Sequence, residues 1–343
     1  MNHRRQLLRA LSVASLAAAR AIPAIPAIPI AASLALTRVA LAQAPFPARP
    51  IRMIVPFTPG GALDTVARAV APIASERLGQ QVVIENRPGA FTAIGNDIVA
   101  KAAPDGYTLL FAAAPIAYNT ALGLKLPYDP MKDFEFVTLV ARIPGLLVVH
   151  PSLPVKTLKE LVDYAKSQTA GFQYATAGVG TMGHMLGEHF FTQQGVKPIH
   201  IGYKGAAPAL QDLIGGQVKV LIDAYIPTGV QVAGGRARGI ALATSKRSPV
   251  LPDVPTFAES GFPGLEAFGF YGVAAPGGTP KAVVNQLNAA FVAAANDRKV
   301  RASLVASGYE VMASSPAEYR AFVQNQIELW TPVVKQSNIK VEQ

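Results

Sequence analysis

The chain has 343 residues, 50% hydrophobic and 15% charged, with 29 Gly, 28 Pro, no Cys and a formal net charge of +10. This composition excludes a disordered or fibrous chain and leaves room for two domains, while the lack of cysteine excludes disulfides, thiolate nucleophiles and cysteine-ligated metals. Residues 1–42 hold Arg4, Arg5, Arg9, Arg20 and Arg38 and no acid, so the rest carries 26 bases against 21 acids, too even a balance, with no dense basic run, for a nucleic-acid partner.

Residues 1–42 read as an export signal that is cleaved: a basic start, an apolar stretch, and Ala40-Leu41-Ala42 as the small residues a signal peptidase reads. Arg4-Arg5 resembles a twin-arginine signal, although His3 precedes the pair, so that route stays open beside the general one. Residues 21–37 are uncharged but short of the ~20 residues a membrane span needs, and their prolines break a helix. These features predict a periplasmic protein without a membrane anchor.

Beyond Gln43, strands alternate with helices. Residues 51–55 form a β-branched run, and 64–78 place Val66, Ala69, Val70 and Ile73 at helical spacing, with Pro72 expected to kink or end that helix. Further strands are predicted at 81–85, 107–111, 136–140 and 146–150, the last two separated by a linker, Arg142-Ile143-Pro144-Gly145. Thr157-Leu158-Lys159-Glu160 is a capping box opening a helix. Strands follow at 172–176, 199–203, 218–223 and 239–244, a second Pro/Gly linker lies at 260–264, and Thr279-Pro280 and Ser315-Pro316-Ala317-Glu318 open two last helices in which Tyr319, Phe322 and Trp330 face the core. The alternation predicts an α/β protein of parallel sheets covered by helices.

Three turns lead from a strand end into a helix start, at 57–64, 177–184 and 203–210. Ligands of open α/β sheets sit beyond the carboxyl ends of strands, and a helix start offers unpaired N–H donors and partial positive charge to an anion. Gly60, Gly61, Gly178, Gly180 and Gly205 permit close backbone approach. Three such turns meeting in one cleft describe a receptor for a small anion. Lys204 is the one fixed cation across these loops, so the anion is expected to be held by backbone N–H groups, the Thr58 and Thr181 hydroxyls and bridging water. Asp64 reads either as a first-turn capping residue or as a partner for a ligand ammonium.

Competing chemistry is thin. Gly178-Val179-Gly180-Thr181-Met182-Gly183 matches G-x-G-x-x-G, but Lys204 stands where a dinucleotide site wants an acid, leaving an NADP-linked enzyme as the alternative. His184 and His189 are five apart, about 140° around a helix, and cannot share a metal without distortion. No nucleophile–base pair is visible to support a hydrolase, which stands beside the NADP-linked enzyme as the other enzymatic alternative. The sequence therefore implies no enzyme, no cofactor and no metal.

The chain also resembles a known family, the periplasmic solute receptors of tripartite tricarboxylate transporters, often called Bug receptors. The resemblance runs from Pro50 to about Val333. It rests on Pro50-Ile51-Arg52, Val55-Pro56-Phe57, Pro59-Gly60-Gly61 with Asp64, Leu78-Gly79-Gln80 and Glu85-Asn86-Arg87-Pro88-Gly89-Ala90. It continues through Pro104-Asp105-Gly106-Tyr107, Pro127-Tyr128-Asp129-Pro130, Tyr203-Lys204-Gly205 with Pro208-Ala209-Leu210, Leu251-Pro252-Asp253-Val254-Pro255-Thr256 and Gly278-Thr279-Pro280. It implies a type II periplasmic-binding-protein fold: lobe 1 from 46–143 plus 266–343, lobe 2 from 144–265, two interlobe crossings, and a cleft that closes on its ligand. It implies binding of a small carboxylate, delivered by a monomer to inner-membrane transporter subunits, or, alternatively, sensed for a two-component system. The site residues it adds to the turn residues above are Phe57, Ala113, Ala114, Asn119, Ala177, His184, Tyr203, Ala206 and Asp223. The sequence departs from the pattern at Phe91-Thr92, where the family usually continues with glycines, and at Thr120, where proline is common.

Overall fold

A computed structural model describes residues 46–336; the export signal expected at 1–42 lies outside the described residues. β1 (Ile51–Val55) is flanked by β2 (Val82–Asn86) and β3 (Thr108–Ala113), both parallel to it, with α1 (Ala62–Leu78) and α2 (Ala93–Ala100) in the two crossovers. Buried Val66, Ala67, Val70 and Ala74 explain why α1 forms, and Gly79 stops it at φ +69°. Pro72 neither ends nor splits this helix. It lies on the exposed face, where the ring projects toward solvent and the helix forgoes one hydrogen bond.

β4 (Phe134–Val149) corrects the expected pair of strands and the linker between them: all sixteen residues are one strand. Its first part, to Pro144, pairs antiparallel with β9 (Phe268–Pro276), and its second, Gly145–Val149, pairs antiparallel with β7 (Val220–Ala224) and β8 (Arg238–Leu242). Pro144 falls where the partners change, the place at which a missing ladder donor costs least. β9, which the sequence reading did not name, is antiparallel to both β3 and β4. The sheets are therefore mixed rather than all parallel.

The second half-sheet adds β5 (Phe172–Thr176) and β6 (Pro198–Gly202), parallel to each other, with β7 parallel to β5. Its helices are α4 (Leu158–Ser167), α5 (Met182–Gln193), α6 (Ala206–Ile214) and α7 (Tyr225–Ala233). The capping box at α4 is present: the Glu160 N–H donates to Thr157 Oγ1 at 3.2 Å, and Glu160 Oε2 accepts the Lys156 N–H at 2.6 Å. The chain returns to the first half-sheet at Ala267, a few residues after the Pro/Gly turn at 260–264. There the two crossings bond to each other: Gly145 N–H to Ala267 O at 3.0 Å, Ala243 N–H to Gly145 O at 2.9 Å, and Ala267 N–H to Ala243 O at 3.1 Å.

α8 (Lys281–Asn296), α9 (Arg298–Ala306), the short β10 (Glu310–Val311) and α10 (Pro316–Gln336) complete the first half. The overall strand order is β2-β1-β3-β9-β4-β7-β5-β6. Apolar side chains form one core on each sheet face, one with α3 (Pro115–Ala121), α4, α5 and α10, the other with α1, α6 and α8. Tyr319 and Trp330 are buried as expected, Trp330 lying edge-on to Tyr118 at 5.8 Å between ring centres. Ala90, Phe91 and Thr92 all take positive φ (44°, 52° and 76°). The backbone here takes a path that suits glycine, at a strain of roughly 1–2 kcal/mol per residue.

Candidate functional site

The strand-to-helix turns converge on one cavity of about 680 Å³. Residues 57–63 lead from β1 into α1, and Ala113–Pro115 lead from β3 into α3. The opposite wall is Ala177 with Thr181–Gly183 at the start of α5, residues 204–208 at the start of α6, and Asp223-Ala224 at the start of α7. The starts of α1, α5, α6 and α7 thus all border one space, and none of their N-cap residues, Gly61, Thr181, Gly205 and Ala224, supplies a side-chain cap. Their first-turn N–H groups are available to an anion.

Of the expected site residues, Phe57, Thr58, Gly60, Gly61, Ala113, Ala114, Ala177, Thr181, Lys204, Gly205, Ala206 and Asp223 line the cavity. Asp64, Asn119, Gly178, Gly180, His184 and Tyr203 stand behind it. Asp64 is buried and fully engaged: Oδ2 accepts the Gly60 N–H at 2.9 Å and Arg68 Nε at 2.8 Å, and Oδ1 accepts Asn86 Nδ2 at 2.9 Å. Burial pushes its carboxyl up, but the hydrogen bonds from Arg68, Gly60 and Asn86 win and hold it below the usual range. Three donors of the protein already hold its two oxygens, so it orders the turn into α1.

Thr181 departs from its expected role, because its hydroxyl donates to Gly178 O at 2.6 Å and so braces the loop rather than offering its proton to an anion. His184 Nδ1 accepts the Gly180 N–H at 3.3 Å, and its ring stacks on His200 with centres 4.1 Å apart. Tyr203 donates to Asp212 Oδ2 at 2.6 Å; burial, then that carboxylate, push the phenol up to about 12. Asn119 Nδ2 donates to Phe91 O at 2.7 Å. The second glycine of the G-x-G-x-x-G stretch, Gly180, has φ +70°, and a Cβ on the third, Gly183, would overlap Ile222 O of β7. That third position serves close helix–strand packing.

The sequence reading missed Tyr271 of β9, Tyr309 just before β10, and Gln211 and Gln231 on α6 and α7, all in the cavity wall. Gln211 directly follows the third turn, whereas the two tyrosines lie far in sequence from the glycine turns and reach the cavity through the packing of β9 and the segment before β10. Among the lining residues Lys204 is the one fixed cation and Asp223 the one acid. No cluster of three or more His, Asp or Glu that could hold a metal occurs among the described residues.

The model of the tripartite tricarboxylate transporter family receptor matches residues 66–339. This chain belongs to that receptor family. BugT of Bordetella pertussis is 36% identical over 299 residues, covering 87% of this chain and 92% of BugT. Rpa4515 of R. palustris, solved with adipate, is 37% identical with a TM-score of 0.80, over 86% of this receptor and 99% of that chain. MatC of Rhodopseudomonas palustris, solved with malate, is 36% identical with a TM-score of 0.79, over 84% and 100%. The receptor has the fold of periplasmic binding proteins of this type, two α/β lobes about a cleft, and it is a binding protein rather than an enzyme. No helix among its described residues is long and apolar enough to cross a membrane.

Proposed function

We propose that the receptor works in the periplasm, closes on a small organic carboxylate, and hands it to the inner-membrane subunits of a tripartite tricarboxylate-type transporter. The observation that carries this reading is the set of four uncapped helix starts around a cavity with a single cation. Backbone donors at helix starts suit a carboxylate. The adipate and malate held by two relatives are of the same chemistry. The lobes are taken as 46–143 plus 266–343 and 144–265. The change of β4 partners at Pro144/Gly145 and the bond from Gly145 N–H to Ala267 O support that division and a hinge at this point. Export follows from the leader at 1–42.

A thermal-shift screen of mono- and dicarboxylates, acidic amino acids and aromatic acids, with NADPH alongside, tests the reading. A true ligand at a thousandfold excess over its Kd stabilises by about 4 kcal/mol, a shift of several degrees. At least one acid is expected to produce it and NADPH none. A shift with NADPH alone would revive the enzyme alternative, and no shift with any acid would defeat the carboxylate reading.

A further inference from the structure

One carboxyl oxygen in the cavity wall has no partner. Asp223, near the end of β7, is 6% exposed; its Oδ1 accepts the Ala224 N–H at 2.7 Å, and its Oδ2 is buried without a hydrogen bond among the described residues. Gln231 on α7 lines the same cavity and leaves Oε1 buried and unpartnered as well. A buried acceptor without a donor from the protein weakens a fold. Two of them in one wall of a binding cavity are explained if the donor arrives with the ligand. The groups available nearby do not supply it. Tyr271 of β9 lines the cavity with Asp223, and Tyr309 lies beside Tyr271, their rings 5.9 Å apart, yet neither hydroxyl bonds to Asp223 Oδ2. Lys204 lines the cavity without reaching it.

Resting on the carboxylate reading, we infer that Asp223 and Gln231 form a donor-recognising end of the cleft, so that the ligand is a carboxylic acid bearing a hydroxyl or ammonium group rather than a plain alkyl acid. The helix starts grip the carboxylate; Asp223 Oδ2 and Gln231 Oε1 accept the N–H or O–H. Burial pushes the Asp223 carboxyl up to about 7, while the same effect raises Tyr271 and Tyr309 and keeps both phenols neutral. A donor ligand favours the ionised Asp223, so its affinity rises as pH goes from 6 to 8. A second ligand carboxylate would need Asp223 protonated, and its affinity would fall over that interval.

Titration calorimetry on the mature receptor at pH 6 and 8 tests this with matched acids: succinate, malate and aspartate; glutarate, 2-hydroxyglutarate and glutamate; benzoate, 4-hydroxybenzoate and 4-(aminomethyl)benzoate. In at least one set the hydroxy or amino acid is expected to bind about tenfold or more tighter than the parent, and which of the two gains separates hydroxyl from ammonium. Asp223→Leu is expected to erase that preference while leaving the melting temperature unchanged or higher, since an apolar group replaces an unpaired buried acid. Parent acids binding as tightly as their derivatives, affinity falling from pH 6 to 8, or an unaltered preference in a folded Asp223→Leu would overturn the inference alone. If neither these nine acids nor any acid of the wider thermal-shift screen binds, the carboxylate reading fails and the inference with it.

Discussion

Gly180→Val is expected to weaken ligand binding about tenfold or more, whereas Lys204→Ala is expected to change it by less than about 1 kcal/mol, the usual scale of an exposed ion pair. Gly180 sits at φ +70°, which a β-branched residue adopts only under strain, and a Cβ there would overlap Asn119 Oδ1. Asn119 is on α3 of the first half-sheet, and Gly180 belongs to the loop before α5 of the second. A valine therefore wedges between the two walls and pulls the Gly180 N–H off His184 Nδ1. The cavity residues Thr181–Gly183 follow directly, so the start of α5 moves with it. Lys204 is exposed and makes no ion pair among the described residues. Calorimetry on both variants, using the acid that gives the largest thermal shift, reads the contrast. Abolished binding in Lys204→Ala with tolerance of Gly180→Val would mean that charge, not backbone, grips the ligand.

Acid is expected to destabilise the receptor through His184 and His200, which stack beneath the 177–183 loop. Burial, with the neighbouring His200 adding repulsion, pushes His184 down to about 3, and burial pushes His200 down to about 4. Unfolded histidine takes up its proton near 6.5. Between those values the unfolded chain binds more protons, so stability is full above about pH 6.5 and falls as pH drops toward 4. The slope is on the order of 2–3 kcal/mol per pH unit for the pair. Asp223, raised to about 7, and Glu188, raised by burial, have the opposite sign and add stability as pH falls through part of that window. The histidine share is isolated by comparing urea unfolding of the wild type with a His184→Gln/His200→Gln variant from pH 7 to 4.5. The difference between the two should shrink steadily toward acid pH. A difference independent of pH would show that the pair titrates normally.

Strand starts, helix periodicity and caps were legible because each is a local property. β1 and β5 match the expected bounds, α8 starts directly after the expected Thr279-Pro280 opening, and Thr157 and Ser315 cap as their spacing implies. The errors share a cause. Pro144-Gly145 reads locally as a linker, yet β9, β7 and β8 pair along both sides of it and carry the strand through. β9 itself is apolar at nearly every position because both faces are covered, so it lacks the alternation that marks a strand. The glycine turns of the cavity were visible as punctuation between elements, whereas Tyr271, Tyr309 and Gln231 reach it through tertiary pairing alone. Asp64 shows the limit from the other side: its position in a first turn was readable, but only the converging Arg68, Asn86 and Gly60 show that it is spoken for.

A crystal structure with the most stabilising acid of the screen tests the central claim most directly. The account predicts a carboxylate in the 680 Å³ cavity, its oxygens about 3 Å from first-turn main-chain N–H groups of α1 and of at least one of α5, α6 and α7. A carboxylate held chiefly by the Lys204 ammonium, or bound in the open surface groove beside Lys125, Asp129 and Gln324, would contradict it.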